Sequence, residues 1–183
     1  QGPGGDSAVP AAGAPAAGAV VWLEGVTAGK PLPLARRYEL TLDGCSVAPR
    51  VLAGVAGGTL NVHGVAPAVS RLAFVRGAGA DAGRVLLRTA MSAEGQLVPD
   101  ARVLAAPGVV EVRGEQPAWL RAWVVAFDQP YFATADEAGR FTLADVPPGR
   151  YTLVAWHPQA GRAAQAVEVA AGGSAAAALR LGR

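Results

Sequence analysis

The side chains here that could ligate a metal or attack a substrate are few: one Cys (Cys45), two His (His63 and His157) and one Met (Met91). Zinc, haem and iron–sulfur centres are assembled from clusters of Cys and His at short, fixed spacings. Three scattered residues of those types provide none, so most metalloenzyme classes fall away. The five serines, Ser7, Ser46, Ser70, Ser92 and Ser174, lack the G-x-S-x-G turn that presents a nucleophile, and two His leave a Ser/His/Asp triad little to draw on. The Gly-rich run from Gly54 to Thr59 leads from one apolar run into another. A phosphate cradle would instead open a helix N-terminus. Asp128, Asp136, Glu137 and Asp145 lie in turn-like sequence without the spacing of a Ca2+ loop, and they are expected to serve as turn and capping residues. With no catalytic set in view, the expectation is a protein that is not an enzyme and carries no cofactor.

The 183 residues carry 16 Lys and Arg against 14 Asp and Glu, a formal charge of +2, and 51% of them are hydrophobic. That is enough apolar material for one large domain or two small ones. A charge so small gives no phosphate-backbone footprint, so nucleic acid is not an expected partner. A membrane-spanning helix needs about 20 strongly apolar residues. Ser7 to Leu23 is uncharged, but Pro10, Pro15 and many small residues make it a poor span, and the chain is expected to be soluble. The absence of Ile, and one Lys and one Asn beside 15 Arg, are the bias of a GC-rich bacterial gene. A start at Gln1 rather than Met suggests removal of a secretory leader, hence export to the periplasm or beyond. Residues 1–17 are almost all Gly, Ala, Pro and Ser, too poor in apolar surface to order alone. Such an arm is expected to gain order by lying on another protein, with Gln1, Pro3, Val9, Pro10 and Pro15 as contacts.

From Ala19 onward, short apolar or alternating runs are broken by Gly and Pro, and no helical stripe occurs. The pattern predicts an all-β chain of two packed β-sandwiches. Predicted strands span 19–23, 38–42, 50–53, 59–62, 71–75, 85–89, 101–104, 108–113, 120–127, 131–134, 139–143, 149–156, 164–169 and 177–181. Asp43-Gly44, Gly57-Gly58, Pro107-Gly108, Pro147-Pro148-Gly149 and Gly172-Gly173 supply the turn chemistry between them.

Residues 136–157, DEAGRFTLADVPPGRYTLVAWH, resemble the carboxypeptidase regulatory-like family of small immunoglobulin-like sandwiches, in which a D-x-x-G-x-F turn and strand precede a P-x-G-x-Y strand. Gly139 and Gly149 open strands out of tight turns, and Phe141 and Tyr151 offer large apolar area to an opposite sheet. Residues 38–132 resemble the plastocyanin-like, cupredoxin part of bacterial periplasmic proteins of the methylamine-utilisation type. The run WVVAFDQPYF at 123–132 is the most specific stretch of that likeness. The resemblance implies an arm at 1–17, a cupredoxin-like sandwich at 18–127 and a regulatory-like sandwich at 128–183. Strand 19–23 can belong to the second sandwich, which would make the cupredoxin part an insertion.

A blue-copper site needs a thiolate, two imidazoles and a weak axial group such as Met. The resemblance puts Gly114 at the Cys position, Pro117 at one His, Leu120 at the Met and Ser70 at the upstream His. None of the four is a ligand of that kind, so the resemblance implies a cupredoxin that has lost its copper. It also places Pro117, Trp119 and Leu120 on the loop where relatives meet redox partners. The leading expectation is therefore a copper-free accessory subunit docking on the periplasmic side of a bacterial membrane complex, a respiratory or photosynthetic electron-transfer assembly. The alternatives are a copper carrier or chaperone using Cys45 and His63, and a secreted module that binds sugar or peptide through strand-end aromatics such as Tyr131 and Trp156.

Overall fold

The computed structural model describes residues 17–33, 36–43, 46–65, 70–77, 82–92, 94–116 and 118–182. Among them every regular element is a β-strand. In chain order these are β1 (Val20–Glu24), β2 (Arg37–Leu42), β3 (Val47–Ala48), β4 (Val51–Val55), β5 (Thr59–Gly64), β6 (Ser70–Arg76) and β7 (Val85–Met91). There follow β8 (Leu97–Asp100), β9 (Gly108–Gln116), β10 (Arg121–Phe127), β11 (Phe132–Thr134), β12 (Gly149–His157) and β13 (Gly161–Val169). The strands fall into two compact units, Leu32–Asp128 and the residues on either side of it.

The unit Leu32–Asp128 is a sandwich of two sheets, ordered β4-β10-β9-β6-β7 and β3-β2-β5-β8. Its strands alternate as a half-buried strand must: Leu60 and Val62 face inward while Asn61 and His63 do not, and Val110 and Val112 are fully buried on either side of Glu111. Each such side chain contributes about 1.5–3 kcal/mol by leaving water. The second sheet holds a departure from the predicted strands. The run at 101–104 is a turn, and the strand lies one step earlier, at β8. Asp100, which is buried, takes the N–H groups of Arg102 and Val103 on Oδ1 at 2.7 and 3.2 Å and so ends the strand. Val103 and Leu104 nevertheless fill the core, from the turn rather than from a ladder. Pro99 argues against a strand in sequence, but β8 is an edge, where a missing N–H costs nothing. The two-residue β3 is too short to show as a pattern.

The other unit is built on one sheet, β11-β1-β12-β13. Strand β1 is internal to it, pairing from Val20↔Thr134 to Trp22↔Phe132 on one side and from Val20↔Trp156 to Glu24↔Thr152 on the other. Residues 18–31 therefore belong with the C-terminal unit, and the boundaries fall after Pro31 and Asp128, not at residues 18 and 127. The core of Val21, Leu23, Tyr131, Leu153 and Ala155 is covered by Phe141, Leu143, Leu179 and Leu181. These covering runs, predicted as strands 139–143 and 177–181, join no ladder. At the first, the Asp136 carboxylate holds the N–H groups of Ala138 and Arg140, closing a local turn where ladder bonds would begin. Their apolar side chains still form the second layer of this sandwich. No helix among the described residues is long and apolar enough to cross a membrane.

Candidate functional site

One end of the unit Leu32–Asp128 gathers the residues singled out in the sequence. The register Ser70↔Met91 sets the start of β6 beside the end of β7, and Arg71↔Gln116 adds the end of β9. The Gly114 N–H donates to the Leu120 carbonyl at 2.8 Å, which closes the hairpin leading into β10. In the facing sheet, His63↔Leu97 aligns the end of β5 with the start of β8. The Gly64 N–H donates to Gln96 O at 2.9 Å and the Gly95 N–H to Gly64 O at 2.6 Å, which fixes the connection there.

The structure brings Ser70, Gly114 and Leu120 to this end, but not as a ligand set. Ser70 is buried at the start of β6, Gly114 lies opposite Leu72 in β9, and Leu120 is 3% exposed within the hydrophobic core. Pro117 lies outside the described residues. A hydroxyl, a missing side chain and a hydrocarbon do not fit a copper ion that requires thiolate and imidazole. Met91, across from Ser70, is packed in the same core. The expectation that Leu120 meets a partner is corrected by its burial, since β10 turns it inward with Ala122 and Val124. Trp119, its neighbour in sequence, is 54% exposed. Of the four exposed large hydrophobic residues among those described, Val65, Leu97 and Trp119 stand at this end, and Val85 stands at the far end of β7.

The remaining candidates are dispersed. His63 Nδ1 lies 3.7 Å from Glu39 Oε1 on the neighbouring strand β2. Cys45 lies outside the described residues, as do Gln1, Pro3, Val9, Pro10 and Pro15. His157 belongs to the other unit, where its Nδ1 accepts the N–H groups of Gln159 and Ala160, each at 3.3 Å. Burial pushes its pKa down. Asp136 accepts the backbone N–H of Arg140 at 2.8 Å and its guanidinium at 2.9 Å, and the first of these contributes most to holding its carboxyl below the usual range. Its oxygens are thus spent on the turn. Among the described residues, no three His, Cys, Asp or Glu side chains are grouped to hold a metal ion. Tyr131, expected to be an exposed strand-end aromatic, is 1% exposed. Its hydroxyl accepts the Lys30 N–H at 2.8 Å. No local pattern signals this contact, because the partner is 101 positions away.

Residues 103–177 match the family described as Polysaccharide lyase family 4, domain II. That span is under half of the chain and runs from the turn after β8 to beyond β13, across both units. No curated protein matches. Among solved structures, the reduced Cu(I) form of an amicyanin variant is similar at 13% identity, with 58% of this chain and 98% of that one covered and a TM-score of 0.42. Amicyanin from Paracoccus versutus is similar at 19% identity over 56% and 95%, with a TM-score of 0.41. Reduced auracyanin from the photosynthetic bacterium Roseiflexus castenholzii stands at 13% identity, 52% and 99%, and 0.40.

Proposed function

We propose that this chain is a copper-free, non-catalytic accessory subunit, exported and docked on a membrane-associated electron-transfer assembly through the β9–β10 end of the unit Leu32–Asp128. The observation that carries the reading is the pair Trp119 and Leu120. One large side chain is displayed to solvent and its neighbour is locked in the core, so the loop presents an aromatic anchor on a fixed base. Aromatic side chains of this size dominate protein interfaces when they find a pocket. Val65 and Leu97 extend the apolar character of the same end. The electron-transfer host rests on the cupredoxin resemblance of residues 38–132, and a fold alone does not fix a function.

The test is native electrophoresis of gently solubilised membranes from cells expressing the tagged chain, with metal analysis of the purified protein. The expected result is migration with a larger complex, lost in Trp119→Ala without a change in the fold of the isolated chain. Migration as free monomer, or stoichiometric copper with an intense blue absorption, would overturn the reading. The second outcome would favour a copper carrier using Cys45 and His63.

A further inference from the structure

The sheet of the unit on either side of Leu32–Asp128 in sequence finishes at β13, the longest edge strand among the described residues. Sheet edges expose unpaired N–H and C=O groups, which proteins usually blunt by brevity, proline or a bulge. Here β3 has two residues, β11 has three and β8 contains Pro99. Strand β7 pairs with β6 through a register shift between Phe74 and Val75. Strand β13 has nine residues, GRAAQAVEV, in unbroken register with β12 from Gly149↔Val169 to His157↔Gly161. It contains no Pro and no Lys, and among the described residues no strand pairs with its outer side. Four of its side chains are Ala or Gly at positions 161, 163, 164 and 166, so little bulk guards the edge.

Two strand edges that meet antiparallel can pair only residues whose backbone groups point outward, so a self-pairing must centre on a residue. Centring on Gln165 pairs the whole strand end to end, Gly161 with Val169. The same register sets Arg162 opposite Glu168 and Glu168 opposite Arg162, and the small Ala164 and Ala166 face each other. A shift of the centre by one residue either way removes both ion pairs and shortens the ladder. Arg162, Gln165 and Glu168 are all exposed. The intramolecular partners of the two charged residues, Glu24 at 3.0 Å and Arg150 at 3.3 Å, are surface contacts of the kind that are worth little and are easily shared. We infer that β13 is a self-complementary edge through which two copies of this chain form an isologous dimer, with its two-fold axis at Gln165. This surface is distinct from the Trp119 loop and does not depend on the proposed docking there.

Sedimentation of the full chain over a range of concentrations should show a monomer–dimer equilibrium. Arg162→Glu places two carboxylates opposite each other at both ends of the axis, and Glu168→Arg does the same with guanidinium groups. Each variant alone should weaken self-association by at least about tenfold, given two cross-strand pairs turned repulsive. Mixed in equal amounts, the two variants should form a heterodimer far tighter than either variant's homodimer, because the two Glu–Glu clashes of one homodimer and the two Arg–Arg clashes of the other give way to two Glu–Arg pairs in each heterodimer. Merely losing the Glu24 or Arg150 contact would not produce that rescue. A charge-swapped double variant, Arg162→Glu with Glu168→Arg, should dimerise as the native chain does, since every cross-strand pair is again of opposite sign. In the native dimer the outward amides of β13 should exchange slowly with solvent, and dilution should release them. A chain that stays monomeric at all concentrations, a dimer indifferent to both single variants, or no recovery in the double variant would overturn the inference. Slow exchange of those amides in a monomer would also overturn it, by showing the edge to be covered from within the chain.

Discussion

Tyr131 is the largest fully buried side chain, and its hydroxyl receives the Lys30 N–H at 2.8 Å. The backbone at Gly29 has φ +149° and lies so close that an added Cβ would stand 2.0 Å from that hydroxyl oxygen. Tyr131→Phe should therefore cost about 1–3 kcal/mol by leaving the Lys30 donor without its partner. Gly29→Ala should cost a similar amount, about 1–3 kcal/mol, by forcing the ring or the loop aside. Urea unfolding measures both, and a loss under about 0.5 kcal/mol for Tyr131→Phe would mean that water replaces the hydroxyl freely. Two ionisable groups of the same unit give it an acid sensitivity. The Asp136 carboxyl titrates below its usual range, chiefly through the Arg140 backbone N–H, so its contribution is complete above about pH 4 and is lost as pH falls through the folded value. His157 is also shifted down, by burial. The folded state thus prefers the neutral ring, and stability declines as pH drops below about 6.5 towards the folded value. His157→Gln should flatten the upper step, and Asp136→Asn the lower one, in urea midpoints recorded across the acid range.

At the scale of elements, what the sequence disclosed follows period and punctuation. Alternating runs such as 59–62 and 108–113 form strands because their inward residues meet a facing sheet, and the all-β, two-sandwich arrangement follows from them. Where apolar residues reach a core without a ladder, the pattern misleads: Val103 with Leu104 and Phe141 with Leu143 bury apolar area from turns and extended covers. Strand and cover look alike in sequence because burial, not hydrogen bonding, writes the alternation. Of the candidate site, the grouping of Ser70, Gly114 and Leu120 was legible, since the ladders bring these three to one end of the unit Leu32–Asp128. Which of Trp119 and Leu120 faces out was not, since adjacent residues on a hairpin are assigned faces only by the register of β9 with β10. This contrast predicts that Leu120→Ala destabilises by about 2–5 kcal/mol, whereas Trp119→Ala stays within about 0.5 kcal/mol of the native chain. Asp100→Ala should cost about 2–3 kcal/mol, as two backbone donors and Arg102 lose a buried carboxylate that ends β8. Thermal unfolding ranks the three, and an Asp100→Ala variant as stable as Trp119→Ala would show that β8 ends for another reason.

On the scale of the whole molecule, the order of the chain and the order of its cores disagree. Strand β1 comes first among the described strands but sits between β11 and β12, which follow a complete sandwich with a separate core. The unit that contains β1 cannot close until the chain has passed through Asp128, whereas the described sheets and hydrophobic core of Leu32–Asp128 are drawn from its own residues. An excised fragment 32–128 should therefore fold cooperatively, with native-like dispersion of amide resonances. Deleting residues 17–24 removes an internal strand together with Val20, Val21 and Leu23 from the other core. That deletion should leave the 32–128 transition in place and abolish the second one, with Trp156 and Tyr151 becoming solvent-exposed and residues 129–182 rapidly cleaved by protease. If instead the deletion unfolds both units together, or fragment 32–128 stays unfolded, the two cores would have to be one cooperative unit, and the insertion would be a matter of chain order without energetic independence.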